Sequence, residues 1–473
     1  MRIRDALTVL VLLTTTGPVW AAGLEIPEQG VRSVSRGGAF SAKANDPTAA
    51  LHNPGALSKL RGPQLIYSHN LLWHNASFTR AESQIPAGTS YEGQDPLAKV
   101  ENESPFFGLG ALFAASHDFG LEDWTFAFSV YGPNYTGHVK YPETGGQRYM
   151  LTELDTLVLF NGLSVAWGKE NFGVGTTLQW AWLPRMRYSL VVDGQPGGSL
   201  NPYASATDTV ATLNISDPFA FTAQVGAWWR PIDEIEIAVS GRVLPVRFEA
   251  EGDFELKNVP GQTQYTDDLL TVPGASAKLE ITLPPTARLG VRYRNLDGTR
   301  EKFDVEFDVV YEAWSMVDAY DADLEGTLNA YGGFMTQDVT LPKRWRDTFS
   351  FRLGGTANVI GDLSLSAGGY YEQGASHRNY TALDFMSLER VGVGGGLAYA
   401  LGDPDGFQAD LLVSYQHVFQ EDRDVPEQYG KVMQQRPIAQ CPDGCGGLTG
   451  VPANAGHFES SFDTLSFGVH ARF

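Results

Sequence analysis

The chain ends with LSFGVHARF, residues 465–473. Apolar side chains occupy every second position of this stretch: Leu465, Phe467, Val469, Ala471 and Phe473. The positions between them carry polar or small residues. Strict alternation of this kind predicts a β-strand that has one apolar and one polar face. The fold class therefore depends on whether the apolar face contacts lipid or the core of a soluble sheet.

The same alternation recurs through most of the chain. Residues 302–314, KFDVEFDVVYEAW, place Phe303, Val305 and Phe307 on one face and three acids on the other. Residues 172–186 and 345–355 repeat the pattern, with aromatic side chains on one face. Many such segments separated by turn residues are typical of an all-β protein.

The connections between the predicted strands are sorted by length. Short polar turns lie at residues 120–123, 169–171, 231–234, 295–300, 358–362 and 402–406. Longer loops lie near residues 79–104, 136–148, 188–217, 253–274, 318–343, 373–388 and 420–458. This order predicts about fourteen strands in a transmembrane antiparallel β-barrel, whose short turns all lie at one end. The barrel must close, because an open sheet edge in hydrocarbon leaves backbone N–H and C=O groups unsatisfied.

A soluble alternative is a secreted, many-stranded adhesin or lectin whose apolar faces point inward. The polar faces carry a dense set of charges, which suits either a hydrated lumen or a solvated sheet. These charged residues are Arg185, Arg187, Arg288, Arg292, Arg294, Asp304, Glu306, Asp308 and Arg346. The sorting of the loops by length decides in favour of the barrel.

The N-terminus predicts secretion. Residues 1–21, MRIRDALTVLVLLTTTGPVWA, combine an arginine-containing start, an apolar run and a small-residue cleavage site, as signal peptides do. Residues 22–62 indicate short helical turns, and residues 63–473 contain the predicted strands. No later stretch has the length and apolar character of a spanning helix. The net charge of −21 argues against nucleic-acid partners, which require a basic surface.

The two cysteines, Cys441 and Cys445, lie in the loop sequence CPDGCGG. In an oxidising compartment this spacing favours a small disulfide-stapled loop. The alternatives are a pair of free thiols or a metal site, and the sequence around the cysteines lacks the histidines that would complete a zinc site.

Signals for catalysis or cofactor binding are weak in this sequence. The glycine run at residues 392–396 lies in a predicted strand with no helix after it, so packing explains it better than phosphate binding. The acidic stretch at residues 318–326 could hold Ca²⁺ but lacks the full calcium-loop pattern. We therefore predict no enzymatic activity, no cofactor and no metal.

Several stretches, taken in order, resemble the FadL/TodX family of outer-membrane transporters for long-chain fatty acids and aromatic hydrocarbons. They are residues 22–57, AGLEIPEQGVRSVSRGGAFSAKANDPTAALHNPGAL; residues 126–137, FAFSVYGPNYTG; residues 283–294, LPPTARLGVRYR; residues 309–317, VVYEAWSMV; and residues 345–354, WRDTFSFRLG. The resemblance covers essentially the whole chain after the signal. It is carried by the ordered set, since no single motif is strong.

The resemblance implies a fourteen-stranded barrel in the bacterial outer membrane, plugged by an N-terminal hatch at residues 22–62. The hatch residues singled out are Ala22, Gly23, Leu24, Asn53 and Pro54. Substrate would leave sideways through a gap at the kinked third strand, at Tyr131, Gly132 and Pro133. Proline cannot donate a ladder hydrogen bond, which supports a break there. Phe473 matches the terminal aromatic residue of outer-membrane proteins, which implies recognition by the assembly machinery. Outer-membrane lipids and lipopolysaccharide are further expected partners.

Candidate substrate-binding residues follow from strand parity, which here means that residues with odd numbers and residues with even numbers point to opposite faces of a strand. Arg185 and Arg187 are predicted to point inward, opposite Trp180 and Trp182, and Arg346 is predicted to point inward on the tenth strand. Arg187 and Arg346 align with the family's carboxylate-binding residues, and an arginine fork suits a carboxylate. The alternative is that these arginines balance the inward acids Asp304, Glu306 and Asp308. For an uncharged hydrocarbon, Leu183 and Phe248 would matter more than the arginines.

The predicted function is passive uptake of long-chain fatty acids or similar hydrophobic compounds. The nearest alternative is uptake of aromatic or aliphatic hydrocarbons by the same route. Alternatives from other classes are an outer-membrane lipase-like enzyme and a surface adhesin built on the long loops. The lipase requires a Ser/His/Asp set, which we do not find in the sequence.

Overall fold

The structure is a computed structural model that describes residues 29–81, 98–133, 137–193, 208–261, 265–329, 334–336, 338–403, 406–436 and 447–473. Its strands are β1 (Gln64–Arg80), β2 (Val100–Glu101), β3 (Phe106–His117), β4 (Trp124–Tyr131), β5 (His138–Lys140), β6 (Glu153–Gly168), β7 (Phe172–Asp193), β8 (Asp208–Ile232), β9 (Ile235–Arg242), β10 (Val246–Asn258), β11 (Ser276–Leu283), β12 (Thr286–Asp297), β13 (Arg300–Glu312), β14 (Ala319–Glu325), β15 (Thr327–Leu328), β16 (Phe334–Met335), β17 (Val339–Pro342), β18 (Thr348–Ile360), β19 (Leu363–Glu372), β20 (Arg390–Gly402), β21 (Gln408–Gln420), β22 (Arg423–Val425), β23 (Met433–Arg436), β24 (Gly447–Pro452) and β25 (Gly456–Arg472). The helices are α1 (Val31–Ser35), α2 (Ala49–His52), α3 (Asp267–Leu270) and the 3₁₀ helices Pro54–Lys59, Trp314–Met316, Arg378–Tyr380 and Glu427–Tyr429.

Antiparallel pairing closes the sheet into a barrel. The ring runs β1–β3–β4–β6–β7–β8–β9–β12–β13–β18–β19–β20–β21–β25 and returns to β1. The closing pair is continuous from Gln64 opposite Arg472 to Arg80 opposite Gly456. Fourteen strands form this ring, which confirms the predicted fold class. Further antiparallel pairings, β8 with β10, β10 with β11 and β11 with β14, extend the wall beyond short interruptions.

The barrel has an apolar outer face and a polar inner face. On β25, Phe467 is 43% exposed while Ser466 is fully buried. On β13, Phe303, Val305 and Phe307 are exposed, and the acids between them are buried. A soluble sheet has the opposite arrangement, so the apolar face of the terminal strand is the one that meets lipid. Among the residues that the structure describes, no helix is long and apolar enough to cross a membrane.

Both ends of the lumen are filled by chain. Residues 29–63, called the hatch segment here, lie inside the ring and are buried except at a few positions. At the other end, buried side chains come from the loop at residues 141–152 and the loop at residues 373–389. They include Tyr141, Tyr149, Met150, Leu151, Ala375, Leu383 and Leu388. The hydrophobic core therefore lies within the barrel.

Glycines on the inner wall let the hatch segment approach closely. A Cβ added to Gly394 would lie 2.7 Å from the backbone oxygen of Val34, whereas one added to Gly395 would be 3.5 Å from its nearest neighbour. We expect Gly394→Ala to lower the free energy of unfolding by about 1–3 kcal/mol, because the hatch must shift. Gly395→Ala is the matched control and should change it little. Thermal unfolding in detergent measures both, and equal losses would contradict this packing.

Candidate functional site

The third barrel strand is interrupted. β4 ends at Tyr131 and β5 begins at His138. Residues 160–167 of β6 pair with β4, and residues 153–155 pair with β5. The stretch of β6 at residues 156–159 therefore lies opposite the break, where the Thr156 N–H donates to the Gly137 carbonyl at 2.9 Å. Residues 134–136 lie outside the described part of the chain.

The three predicted gate residues lie at the edge of this break and are buried. The Tyr131 ring stacks on Phe160 at 5.1 Å, and its hydroxyl accepts a hydrogen bond from Gln179 at 3.2 Å. The Gly132 N–H donates to the Ala111 carbonyl at 3.0 Å, which is the last such contact before Pro133. The wall is thus anchored up to Gly132, and regular pairing stops there.

An apolar cavity of about 50 Å³ adjoins the break. Its lining residues are Gly137, Val139, Leu154, Thr156, Val158, Leu183, Met186, Phe248, Ile281, Leu283 and Phe385. The structure therefore brings together Leu183 and Phe248, the two apolar residues singled out from the sequence. Among the described lining residues none is charged, and the Thr156 hydroxyl has no hydrogen-bond partner there. The site offers apolar contact and one hydroxyl group.

The predicted inward orientation of Arg185 and Arg187 is wrong. The pairing of β7 with β8 shifts register between Ala181 and Leu183 and again between Leu183 and Met186. Leu183 and Met186 are both buried in the cavity wall, although one has odd and the other even parity. A bulge of this kind turns the residues that follow it to the opposite face. Arg185 and Arg187 therefore lie on the outer side of the wall.

Their contacts agree with this orientation. Arg185 binds Asp155 at 2.9 Å, and Arg187 binds Glu153 at 3.1 Å and Glu255 at 3.4 Å. Both acids on β6 flank Leu154, which faces the cavity. Pro184 was the available sequence signal, because proline within a strand marks an edge or a bulge.

Arg346 does not line the cavity. It is half-buried just before β18, and its Nε donates to the Gly374 carbonyl at 3.3 Å. Its proposed carboxylate-binding role stays a prediction.

A buried ion pair behind the cavity was missed by sequence reasoning. Lys343 and Asp384 lie 2.5 Å apart, with 3% and 2% of their side chains exposed. The Lys343 ammonium also lies 5.5 Å from the ring centre of Phe385, a lining residue. Both residues come from loops and carry no periodic signal that could have brought them together.

The inward acids of β13 hold the hatch segment. Asp304 binds Arg36 at 2.8 Å and Lys43 at 2.6 Å. Glu306 accepts hydrogen bonds from the Ala42 and Lys43 amides, and Asp308 accepts them from Phe40 and Ser41. The acids therefore balance hatch cations and backbone donors, and not Arg185 or Arg187 as the alternative interpretation had it.

Two hatch lysines sit in a region rich in positive charge. Burial, together with the nearby charges of Arg292 and Arg36, lowers the pKa of Lys43 to about 8. Burial also lowers the pKa of Lys59 to about 8. A polar cavity of about 520 Å³ adjoins them, and its lining includes several arginine side chains together with acids such as Glu236 and Glu301.

Asn53 ties the hatch segment to the wall. Its side-chain amide donates to the carbonyls of Ser41 at 3.0 Å and Ala227 at 3.1 Å, and its oxygen accepts from the Gly55 N–H. Pro54 begins the 3₁₀ helix that follows. The predicted signal at residues 1–21, the hatch residues Ala22, Gly23 and Leu24, and the cysteines Cys441 and Cys445 all lie outside the described residues.

Among the residues that the structure describes, one group of side chains has donor atoms close enough together to bind a metal ion. Oxygen or nitrogen atoms of Asp422, His457 and Glu459 lie within 4.8 Å of one another at the outer rim. His457 also hydrogen-bonds to Asp424, and Glu459 binds Lys99. Since two of the three side chains, His457 and Glu459, are already held in ion pairs, we assign no metal to the group.

Comparisons with known proteins agree with this geometry. A family model described as outer membrane protein transport protein (OMPP1/FadL/TodX) matches residues 12–438. A FadL homologue of Pseudomonas aeruginosa has 17% sequence identity and a TM-score of 0.72, over 96% of this chain and 100% of that chain. No curated protein gives a significant sequence match.

Two toluene transporters of known structure have the same fold. TbuX of Ralstonia pickettii is 13% identical with a TM-score of 0.63, over 95% of this chain and 99% of its own. TodX of Pseudomonas putida is 14% identical with a TM-score of 0.62, over 95% and 99%. The family match identifies transport proteins rather than enzymes. The chain belongs to the OMPP1/FadL/TodX family and is a bacterial outer-membrane β-barrel transporter of hydrophobic compounds.

Proposed function

We propose that hydrophobic molecules enter among the outer loops, bind in the apolar cavity and leave sideways through the break in the third strand. The observation that carries this proposal is the position of the cavity, whose lining includes Gly137 and Val139 beside the break and Thr156 and Val158 opposite it. Transport by this route is passive, since a favourable transfer of apolar surface from water to lipid drives it.

The apolar walls supply the binding free energy. Each buried CH₂ group contributes about 0.8 kcal/mol, so a ligand needs several of them in contact with the wall. The cavity must widen to take such a ligand, because its present volume is about 50 Å³. Met186 and Phe385 are suited to move, since methionine is flexible and Phe385 comes from a loop.

Two substrate classes fit this route, namely long-chain fatty acids and uncharged hydrocarbons. Fatty acids were the first expectation from the sequence, on the strength of Arg187 and Arg346. The lining residues that the structure describes carry no charge, and this favours hydrocarbons. TbuX and TodX, which share the fold, are named as toluene transporters.

The lateral route can be tested by tethering the hatch segment. A Cβ added at Gly290 would lie 3.2 Å from the Ser41 Cβ, slightly nearer than the Cβ atoms of a disulfide, so a small outward shift of the hatch segment would allow the bond. We expect the Ser41→Cys/Gly290→Cys protein, made in a Cys441→Ser/Cys445→Ser background, to take up labelled toluene within about twofold of its reduced form. The same protein before and after reduction is its own control. A loss of tenfold or more on oxidation would instead place the route beneath the hatch.

The remaining partners are also proposals. The exposed apolar outer face would contact outer-membrane lipids, and the charged outer rim, including Arg185 and Arg187, would contact lipopolysaccharide. The terminal Phe473 is exposed, so the assembly machinery could bind its side chain.

A further inference from the structure

The buried pair of Lys343 and Asp384 bears on which ligands the cavity accepts. We propose that Asp384 occupies the position that a ligand carboxylate would take at Lys343, so that the site selects uncharged hydrophobic ligands and rejects fatty-acid anions. This inference rests on the proposed function, because it names the substrate class of the same cavity.

Asp384 is held by donors on both carboxylate oxygens. Oδ2 binds the Lys343 ammonium at 2.5 Å and accepts a hydrogen bond from the Tyr188 hydroxyl at 3.1 Å. Oδ1 accepts from the Phe385 N–H at 2.9 Å. The carboxylate thus has three donors, with at least one on each oxygen, in a site with almost no solvent. A charge-assisted arrangement of this kind is strong and geometrically fixed.

The pair lies directly behind the cavity wall. Phe385, which lines the cavity, follows Asp384 in sequence, and the Lys343 ammonium sits over its ring at 5.5 Å. Tyr188 lies on the same face of β7 as the lining residue Met186, two positions further along. When Phe385 and Met186 move to widen the cavity, the bound ligand comes next to this pair.

A second anion at this place is unfavourable. A ligand carboxylate could reach Lys343 only by displacing Asp384 or by sharing the ammonium with it. Either outcome leaves two buried carboxylates with one cation, and like charges at close range in a dry site oppose each other. An uncharged ligand does not compete with Asp384 for the Lys343 ammonium and leaves the ion pair intact.

A matched ligand pair tests the proposal, namely laurate and its methyl ester, which share the same tail. Binding is measured at pH 8 as displacement of diphenylhexatriene from purified protein in a zwitterionic detergent. We expect the wild type to bind the ester at least tenfold more tightly than the anion. The isosteric Asp384→Asn change frees Lys343, and we expect it to tighten laurate binding at least tenfold while ester binding stays within twofold.

The double variant Asp384→Asn/Lys343→Met removes the cation as well and should lose the gain in laurate binding. Equal binding of laurate and ester by the wild type overturns the proposal, and this holds even where Asp384→Asn does not fold. An unchanged laurate affinity in an Asp384→Asn protein that still binds the ester also overturns it. If the wild type bound neither ligand, the proposed function itself would fall, and this inference with it.

Discussion

Replacing Asp304 with alanine is expected to loosen the hatch segment and to let small hydrophilic solutes through the barrel. Asp304 is fully buried and binds Arg36, Lys43 and Arg292, the last at 3.0 Å. Removing one partner of a buried ionic network costs about 3–5 kcal/mol, because the remaining charges lose their compensation without regaining water. Two of these three cations belong to the hatch segment, so we expect the loss of stability to fall mainly on the attachment of the hatch segment to the wall.

Liposome swelling with small sugars and conductance in planar bilayers measure this leak. Asp297→Ala is the matched control, since Asp297 lies on the same hairpin, is 67% exposed and binds only Lys302 in the described contacts. Exposed ion pairs contribute about 0–1 kcal/mol to stability, so the barrel of the Asp297→Ala protein should stay closed to small solutes. Wild-type conductance in a folded Asp304→Ala protein would show that the network does not hold the hatch.

Replacing Leu183 with tryptophan is expected to lower uptake of hydrophobic ligand at least tenfold. Leu183 is 1% exposed and lines the cavity beside the break in the third strand. The larger ring would occupy space that the ligand needs, and losing contact with about two methylene groups corresponds to roughly 1.6 kcal/mol, or more than tenfold in affinity. Overpacking would add a stability cost of about 1–3 kcal/mol.

Leu163→Trp on the neighbouring strand is the matched control for Leu183→Trp. Leu163 is 68% exposed on the lipid-facing side, where a larger apolar side chain is readily accommodated. Uptake of labelled toluene by cells and thermal unfolding of the purified proteins separate the two effects. If both variants transported normally, the cavity would not lie on the route.

Much of the architecture could be read from the chain, because barrel strands carry their orientation in local alternation. Phe467 and Ser466, or Phe303 and Asp304, take opposite faces just as their parity predicts. Loop lengths then ordered the strands, since each short turn joins neighbours at the same end. The break at Gly132–Pro133 also had a local cause, because proline cannot donate to a ladder.

The prediction of side-chain orientation from parity failed where the strand itself was irregular. The bulge before Met186 reversed the faces of Arg185 and Arg187, so the predicted head-group arginines lie outside the wall. Parity rules assume an uninterrupted pleat, and one extra residue exchanges every face that follows. Pro184 indicated the irregularity but not its direction.

The sequence by itself determined the class of the protein, namely an all-β membrane barrel with apolar residues outside, because alternation is a property of neighbouring residues. Only the tertiary structure decided which charges meet. Asp304 lies 268 positions from Arg36, and Lys343 lies 41 positions from Asp384. Such pairs depend on barrel closure and on where the loops settle, and neither is encoded in any short stretch of chain.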